Sequence, residues 1–244
     1  MADYYTLPGY RALLDRVRAE GWSLRGLADL AYSGGRDLYI RHDIDAELYL
    51  LDPFLDVEES AGATATYFLM PESTFYNLHS PEGRSIISRI RDGGHAFGLH
   101  FFGEVHSALS PDQLAHEIVR QAESLESSVG APVGVFSFHQ PTRSMLGLDL
   151  EVPGLVNTYH EATMRDLSYV SDTNMVWQPA PPDEVMASGT SRVQMLVHPL
   201  WWIMDGATPA ARWRQVVQGL SATHARHLLK RERALAGLDE AHLT

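Results

Sequence analysis

Residues 39–45 read Tyr39-Ile40-Arg41-His42-Asp43-Ile44-Asp45, a short β-branched and aromatic run that ends in ionisable side chains. An apolar run of this length with a charged end predicts a buried strand whose C-terminal end opens into a site. Two carboxylates two residues apart can divide the chemistry there, since one can hold a cation while the other takes a proton. The alternative is a surface loop in which the acids cap the following helix. The downstream sequence favours the site.

Strand and helix patterns alternate along the rest of the chain. Short β-branched or aromatic runs predict strands at 64–70, 95–102, 133–139, 167–170 and 193–197. Apolar residues at helical spacing predict two short helices within 8–31 and longer helices at 47–60, 82–92, 110–130 and 208–235. Residues 145–165 have no regular pattern, and residues 179–189 are predicted to form a loop. This alternation predicts an α/β fold built on parallel strands.

Five predicted strands end in a residue that can bind metal or move protons. These residues are Asp43 with Asp45, His100, His139, Asp172 and His198. Taken singly, each has an ordinary structural role, such as a hydrogen-bonded core histidine or a turn aspartate. In a barrel of parallel strands, however, all the C-terminal ends lie on one face, where such enzymes keep their sites. The shared position therefore favours a functional cluster.

Composition limits the kind of site. The chain of 244 residues has no cysteine and twelve histidines, so any metal must be held by His, Asp or Glu. A formal charge of -12 argues against nucleic-acid or anionic-membrane partners. Lys230 is the single lysine and lies in a basic helical tail, which argues against a Schiff-base mechanism. Composition thus disfavours a nucleic acid, an anionic membrane and a Schiff-base intermediate.

We expect one domain over 1–244, with an N-terminal helical segment at 1–36 and a C-terminal helix at about 208–235. The first residues lack the basic and apolar regions of a signal peptide, and no apolar run reaches membrane-spanning length. The sequence therefore predicts a soluble, cytoplasmic protein. It leaves the oligomeric state open, a homo-oligomer included.

Five groups of residues in order resemble a known family. They are Arg-His-Asp-Ile-Asp (41–45) with Ala-Thr-Tyr-Phe (65–68), Gly-His-Ala-Phe-Gly-Leu-His (94–100), Ser-Phe-His-Gln-Pro (137–141), Tyr-Val-Ser-Asp-Thr (169–173) and Leu-Val-His-Pro-Leu-Trp-Trp (196–202). Together they resemble the polysaccharide deacetylase-like (NodB-homology, carbohydrate esterase type) proteins, in a divergent intracellular branch. The resemblance implies a distorted (β/α) barrel of mostly parallel strands, related to the TIM barrel, and cleavage of an amide with a bound divalent metal.

The sequence departs from the motifs of that family at three points. Ile44 separates two aspartates that are adjacent in the family, where one is a base and one a metal ligand. Four residues after His100 stands Glu104 in place of the family's second histidine, with His106 and His139 as alternative ligands. The family's Arg-x-Pro-Tyr motif is replaced by His-Gln-Pro-Thr at 139–142. The third ligand and the positioning of the acyl group are therefore open.

The resemblance implies a metal-dependent amide hydrolase, an N-deacetylase of an amino sugar or a sugar-containing small metabolite. Its metal would be zinc, with cobalt or nickel as alternatives. The implied ligands are Asp45, His100 and Glu104, and the implied catalytic residues are Asp43 as base, His198 as acid, Asp172 as its partner, and His139. Two alternatives remain: a hydrolase of another C–N bond, as in a cyclic amide or nucleobase-like metabolite, and a non-catalytic carbohydrate-binding relative. Trp177, Trp201 and Trp202 could offer stacking faces to a sugar ring, although tryptophans beside a barrel are more often packing residues.

Overall fold

The fold is built on one sheet of parallel strands. The computed structural model describes residues 4–30, 35–161 and 165–243. Within these residues the sheet has eight strands: β1 (Ser23–Gly26), β2 (Asp37–Asp43), β3 (Thr66–Leu69), β4 (Ala96–Phe101), β5 (Val133–Phe138), β6 (Val156–Asn157), β7 (Ser168–Ser171) and β8 (Arg192–Val197). Their order is β6-β5-β4-β3-β2-β8-β7, with β1 paired to β2, and neighbouring strands in this order are parallel, as are β1 and β2. The predicted α/β fold, a distorted barrel of parallel strands, is confirmed.

Strand β2, which carries the decisive stretch, lies at the centre of the sheet. Its first half pairs with β1 along one edge, and its last three residues, Arg41 to Asp43, pair with β3 along the same edge. Its other edge pairs with β8 over six residues. The strand is buried along its whole length, as its apolar composition predicts. Asp43 is therefore fixed at the middle of the C-terminal edge of the sheet.

Helices connect the strands and cover the outside of the sheet. They are α1 (Leu7–Ala19), α2 (Asp52–Ala61), α3 (Pro81–Asp92), α4 (Pro111–Val129), α5 (Arg143–Leu146), α6 (Pro182–Ala187), α7 (Leu200–Ile203) and α8 (Pro209–Arg231). The signals that predicted α4 have their expected geometry, because Ser110 and Gln113 form a capping box and Gly130 ends the helix with a φ of 66°. None of the helices in the described ranges is long and apolar enough to cross a membrane.

Several local predictions are wrong. The second helix expected within 8–31 is instead strand β1 followed by a 3-10 turn at Leu27–Asp29, because pairing with β2 overrides the local helical pattern. The loop expected at 179–189 contains the short helix α6, which begins at Pro182. The C-terminal helix ends at Arg231 rather than near 235. Residues 1–3 and 31–34 of the expected N-terminal segment lie outside the described residues, and the one-domain organisation stays a prediction.

Alternation along the strands sorts side chains between two faces of the sheet. On β2, Leu38 and Ile40 belong to the large core between the sheet and the helices. Tyr39 instead joins a small cluster with Phe68 on the inner, concave face. Arg41 and Asp43 follow Tyr39 at spacings of two, so they share that inner face. The inner face is thus apolar at its base and polar at the C-terminal edge, where the site lies.

Candidate metal centre and active site

Three predicted site residues converge at the C-terminal edge of the sheet. Asp45 Oδ1 lies 3.2 Å from His100 Nε2 and 3.0 Å from His139 Nδ1, and the two imidazole nitrogens are 3.1 Å apart. Asp45 follows β2, His100 lies near the end of β4, and His139 directly follows β5. Three parallel strands, β4 and β5 as neighbours and β2 on the far side of β3, therefore bring three metal-ligating atoms to one point. This is one of two such clusters within the described chain.

The donor set of these three residues fits a divalent cation. Ligand atoms around a tetrahedral zinc ion with bonds of about 2.0–2.1 Å lie about 3.3 Å apart, close to the separations found here. His100 Nδ1 lies 2.8 Å from the hydroxyl of Ser137. When that nitrogen donates to Ser137, Nε2 presents its lone pair toward Asp45 and His139. Two neutral imidazoles and one carboxylate also leave a fourth position for water or substrate.

The protonation of the cluster also suits a cation. Burial lowers the pKa of His139, but the hydrogen bond to Asp45 outweighs it and raises the pKa above the ordinary histidine value. Burial raises the pKa of Asp45, but hydrogen bonds from His100 and His139 outweigh it and leave the pKa below its usual range. The carboxylate is therefore ionised, so a cation at this point would meet one negative charge and two imidazole nitrogens.

Glu104, the expected third ligand, is not part of this cluster. It lies exposed on a 3-10 turn at Gly103–His106, because β4 ends at Phe101 and the chain turns outward. His106, one of the alternatives, instead lies 3.4 Å from Glu72, in the second cluster with Glu117. The place expected for Glu104 is taken by His139, the other alternative. Spacing along one strand suggested Glu104, whereas pairing between β4 and β5 brings in His139.

The second cluster is already balanced by a cationic side chain. Arg120 on α4 donates to the carboxylates of both Glu72 and Glu117. Gln121 Nε2 donates to Glu72 at 3.1 Å and to Glu117 at 2.9 Å. This network joins the loop after β3 to α4, and its acidic charge is offset by the guanidinium.

Asp43 lies beside the metal-ligand cluster but is held by a different partner. Arg41 donates to both of its carboxylate oxygens at 2.7 Å, and both side chains are buried. Arg41 also donates to Thr158 Oγ1 at 3.0 Å and to the Tyr159 hydroxyl at 3.1 Å. Burial raises the pKa of Asp43, but the charge of Arg41 outweighs it and lowers the pKa below the usual value. Asp43 is thus a fixed, ionised carboxylate next to His100, whose Nδ1 is 3.8 Å away.

His198 and Asp172 form a dyad on the opposite side of the site. His198 Nδ1 lies 2.7 Å from Asp172 Oδ1, and Trp202 Nε1 donates to Asp172 Oδ2 at 2.8 Å. Burial lowers the pKa of His198, but the hydrogen bond and charge of Asp172 outweigh it and raise the pKa to about 9. The imidazole therefore carries a proton at neutral pH. Its Nδ1 is engaged, so Nε2 is the nitrogen available to a substrate.

Sequence reasoning missed several residues that shape the site. Arg41 lies two residues before Asp43 on the same strand face, and Ser137 lies two before His139, so alternation could have found both. Glu47 gave no such signal. Its side chain is fully buried with Oε1 unpaired, and burial together with the charge of Asp45 raises its pKa to about 7.

A cavity of about 700 Å³ opens over these groups. It is lined by the inner-face residues Asp43, Asp45, His100, His139 and His198, and by the aromatic side chains of Tyr159, Tyr169, Trp201 and Trp213. Of the three tryptophans considered as stacking faces for a sugar, Trp201 lines it and the other two are packing residues. Trp202 is buried and bonded to Asp172, and Trp177 packs on Tyr5 at a ring separation of 6.4 Å. Trp213, on α8, was not predicted.

No protein-family model matches the sequence, and no curated protein matches it at a significant level. Comparison with solved structures finds similar chains. One is a peptidoglycan deacetylase from Bacillus subtilis, with 14% identity and a TM-score of 0.46, covering 84% of this chain and 98% of that chain. Another is a deacetylase from Streptococcus pyogenes in complex with acetate, with 12% identity and a TM-score of 0.46, covering 86% of each chain.

A third similar structure is a CE4 family pseudoenzyme from Bacillus anthracis. Its identity is 15% and its TM-score 0.40, over 77% of this chain, and the chain spans only 63% of its length. A mutant of that pseudoenzyme with restored enzymatic activity is also similar, with 66% of its length covered. These similar chains are thus two deacetylases, a CE4 family pseudoenzyme and a mutant of that pseudoenzyme.

Proposed function

We propose that the protein is a metal-dependent amide hydrolase, an N-deacetylase that removes an acyl group from an amino sugar or a sugar-containing small metabolite. The observation that carries this proposal is the convergence of Asp45, His100 and His139 within 3.0–3.2 Å, in one cavity with an ionised carboxylate and a protonated histidine. A metal centre flanked by a base and an acid is the equipment that amide hydrolysis needs.

The ionisable residues of the cavity divide the steps of the reaction among them. A cation held by Asp45, His100 and His139 would supply Lewis-acid polarisation of the acyl group and activation of water. Asp43, ionised and fixed by Arg41, accepts the proton that water loses as its oxygen bonds to the acyl carbon. His198 donates a proton from Nε2 to the amide nitrogen as the C–N bond breaks. The products are a carboxylic acid and a free amine, and exchange with solvent restores both side chains.

Asp172 supports this assignment of His198. Its carboxylate accepts from both the imidazole and the backbone N–H of His198, which fixes the tautomer and the direction of Nε2. Its charge keeps the imidazole protonated before the reaction. Asp172 is itself held by Trp202, so it acts as a positioning residue rather than as a second base.

The cavity supports a sugar-sized amine component. Tyr159, Tyr169, Trp201 and Trp213 surround the polar groups, and aromatic faces beside hydroxyl-binding groups are typical of ring-shaped polar ligands. The volume of about 700 Å³ exceeds what an acetamide group alone would fill.

The proposal is tested by metal titration together with an amide-hydrolysis assay. Calorimetry with zinc, cobalt and nickel should give close to one bound ion per chain. The zinc-loaded protein should then release carboxylic acid and amine in equal amounts from N-acylated amino sugars, while Asp45→Ala protein should do neither. Wild-type protein that binds no divalent metal would overturn the mechanism. Metal binding without release of acid from any N-acyl sugar would favour a binding protein, and a ring-opened product would favour a cyclic amide substrate.

A further inference from the structure

The metal cluster lies at the junction of two cavities. Asp45 and His139 line the main cavity of about 700 Å³ and also a second cavity of about 340 Å³. Asp43, His100 and His198 line only the main cavity. A substrate bound at the cluster could therefore extend in two directions, and the two directions differ in chemistry.

The second cavity, here called the apolar lobe, is walled by Met70, Phe75, Phe102 and Trp213. The Phe102 ring packs edge-on against the ring of His139, with centroids 5.1 Å apart. Phe75 is 45% exposed, which is unusual for a side chain of its size. An apolar wall that continues from a metal ligand to an exposed aromatic ring indicates a binding surface for an apolar group.

The wall of the apolar lobe is braced by the fold. The backbone N–H of Met70 donates to the Tyr76 hydroxyl at 2.8 Å, and that hydroxyl donates to the Ile44 carbonyl at 3.1 Å. Both ends of the loop after β3 are thus tied to the segment between the two site aspartates. Glu72, in the middle of this loop, is held by Gln121 on α4. Hydrogen bonds therefore hold the wall of the lobe in place.

The positions of the acid and base assign the two directions. His198 must reach the leaving nitrogen, and it lines the main cavity, so the amine component lies there. Asp43 lies on the same side and receives the proton of the attacking water. The remaining substituent of an acyl carbon held at the cluster would then extend toward the apolar lobe, which Asp45 and His139 also line. An acetyl methyl would leave most of that apolar surface in contact with water.

We propose that the apolar lobe binds the acyl chain of the substrate and that this chain is longer than acetyl. The inference rests on the proposed function, since it takes the cluster as the place of amide cleavage. The substrate class is then an N-acylated amine with a polar, ring-sized amine component in the main cavity and an aliphatic acyl chain in the lobe. Each methylene buried in the lobe should strengthen binding about fourfold, from about 0.8 kcal/mol per CH₂.

The test uses zinc-loaded protein and alkyl hydroxamates, which bind a catalytic cation while carrying only the acyl side of an amide. Calorimetry should show affinity rising from acetohydroxamate to hexanohydroxamate by tenfold or more, and a further rise or a plateau at octanohydroxamate. Affinity that is flat or falls with chain length would overturn the proposal. The measurement does not depend on the identity of the amine.

Variants of the lobe provide the second arm of this test. Phe75→Ala should weaken hexanohydroxamate binding about fivefold or more, because it removes part of the wall, and leave acetohydroxamate unchanged. Thr74→Trp, which adds bulk at the exposed rim, should also weaken only the longer chain. Leu228→Ala is the matched control, because Leu228 is 47% exposed and lies outside both cavities. Equal losses for both chain lengths in the lobe variants would overturn the proposal.

Hydrolysis separates failure of the inference from failure of the proposed function. We expect N-hexanoyl-glucosamine to be cleaved with a kcat/KM at least tenfold above that of N-acetyl-glucosamine. Cleavage of the acetyl compound as the better substrate, with flat hydroxamate affinities, would overturn the inference and keep the hydrolase. Hydroxamate affinities that rise with chain length, without cleavage of either amide, would support the lobe and overturn the hydrolase. Failure of the protein to bind zinc would overturn both.

Discussion

Asp172 holds His198 at two points, because its Oδ1 accepts the imidazole Nδ1–H at 2.7 Å and the backbone N–H at 3.1 Å. The two elements that carry these residues, β7 and the turn after β8, are neighbours in the sheet. The contact decides both the direction of the imidazole and its charge.

Asp172→Asn should therefore lower the pKa of His198 from about 9 by roughly 1–2 units, toward the ordinary histidine value. A histidine with a raised pKa stabilises the fold fully below its unfolded value of 6.5, and this contribution is lost as pH rises through about 9. The variant should thus be destabilised more near neutral pH than at alkaline pH. If turnover needs the protonated imidazole, its decline at alkaline pH should begin at a lower pH in the variant than in wild type.

The measurement for Asp172→Asn is an NMR titration of the imidazole signals, with His198→Gln to assign the resonance. The control is Asp166→Asn, which should leave the titration unchanged. Asp166 is an exposed aspartate two residues before β7 begins. An unshifted His198 signal in Asp172→Asn would show that the pKa is set elsewhere.

Ser137→Ala should weaken zinc binding roughly 10-fold or more. The Ser137 hydroxyl lies 2.8 Å from His100 Nδ1 and so orients Nε2, the proposed ligand atom of His100. The fold should be retained, since the change removes one hydroxyl from the inner face. Ser171→Ala is the matched control. Ser171 is also a buried serine near the C-terminal end of a strand, but its hydroxyl contacts Thr173 rather than a residue of the metal cluster. Zinc titration calorimetry on both variants decides the matter, and equal affinities would contradict this role for Ser137.

Glu104→Gln and His139→Ala should have opposite outcomes in zinc titration. Glu104 is exposed and outside the cluster, so its variant should bind zinc with wild-type affinity. His139 supplies one of the three converging atoms, and its variant should lose zinc binding by a factor of 100 or more. Competition with a chromogenic chelator would measure both affinities. Weakened binding in Glu104→Gln together with unchanged binding in His139→Ala would make Glu104 the third ligand, as the spacing after His100 predicts.

Asp43→Asn should keep the metal and lose turnover by about 100- to 10,000-fold, the range for removal of a general base. The reason is that Asp43 bonds to Arg41 whereas Asp45 bonds to the histidines. Asp45→Asn should lose both metal and turnover. Elemental analysis of the two purified variants gives the answer before any assay, and a metal-free Asp43→Asn beside a metal-loaded Asp45→Asn would reverse the two roles.

Glu58→Gln should destabilise the protein by about 3 kcal/mol near neutral pH. Glu58 is buried on the helix side of β2 and accepts from Tyr10 at 2.7 Å, from Tyr67 at 2.5 Å and from His42 at 2.7 Å. Burial raises the pKa of Glu58, but the charge of His42 and these hydrogen bonds outweigh it and lower the pKa from 4.5 to about 2. The stabilisation is therefore present above pH 4.5 and is lost as pH falls through about 2.

Urea denaturation of wild type and Glu58→Gln at several pH values tests this expectation. The difference in free energy of unfolding should be largest near neutral pH and should shrink as pH falls below about 4.5. Glu59→Gln, at the exposed neighbouring position on α2, should stay close to wild type throughout. A difference that does not change with pH would show that the loss comes from packing alone.

Most of the strands and helices, and the edge of the sheet at which the site lies, can be predicted from the amino-acid sequence. Strands such as β2 and β8 bury both faces, so their apolar runs are visible in the sequence, and the end of each run marks the end of the strand. Because parallel strands all end at one edge, the positions of Asp43, Asp45, His100, His139 and His198 indicated one shared site.

Which of these residues lie in contact depends on how the strands pair and pack. Strand β1 was missed because its pairing with β2 gives it stability that its local sequence lacks. That His139 rather than Glu104 lies beside Asp45 and His100 depends on the register between β4 and β5, since spacing along one strand cannot show which residues the neighbouring strand places there. The different partners of Asp43 and Asp45 depend likewise on Arg41. Its guanidinium reaches Asp43 because alternation along β2 puts both side chains on the inner face. A ligand set is a property of distances across strands, and those distances are fixed by packing rather than by order along the chain.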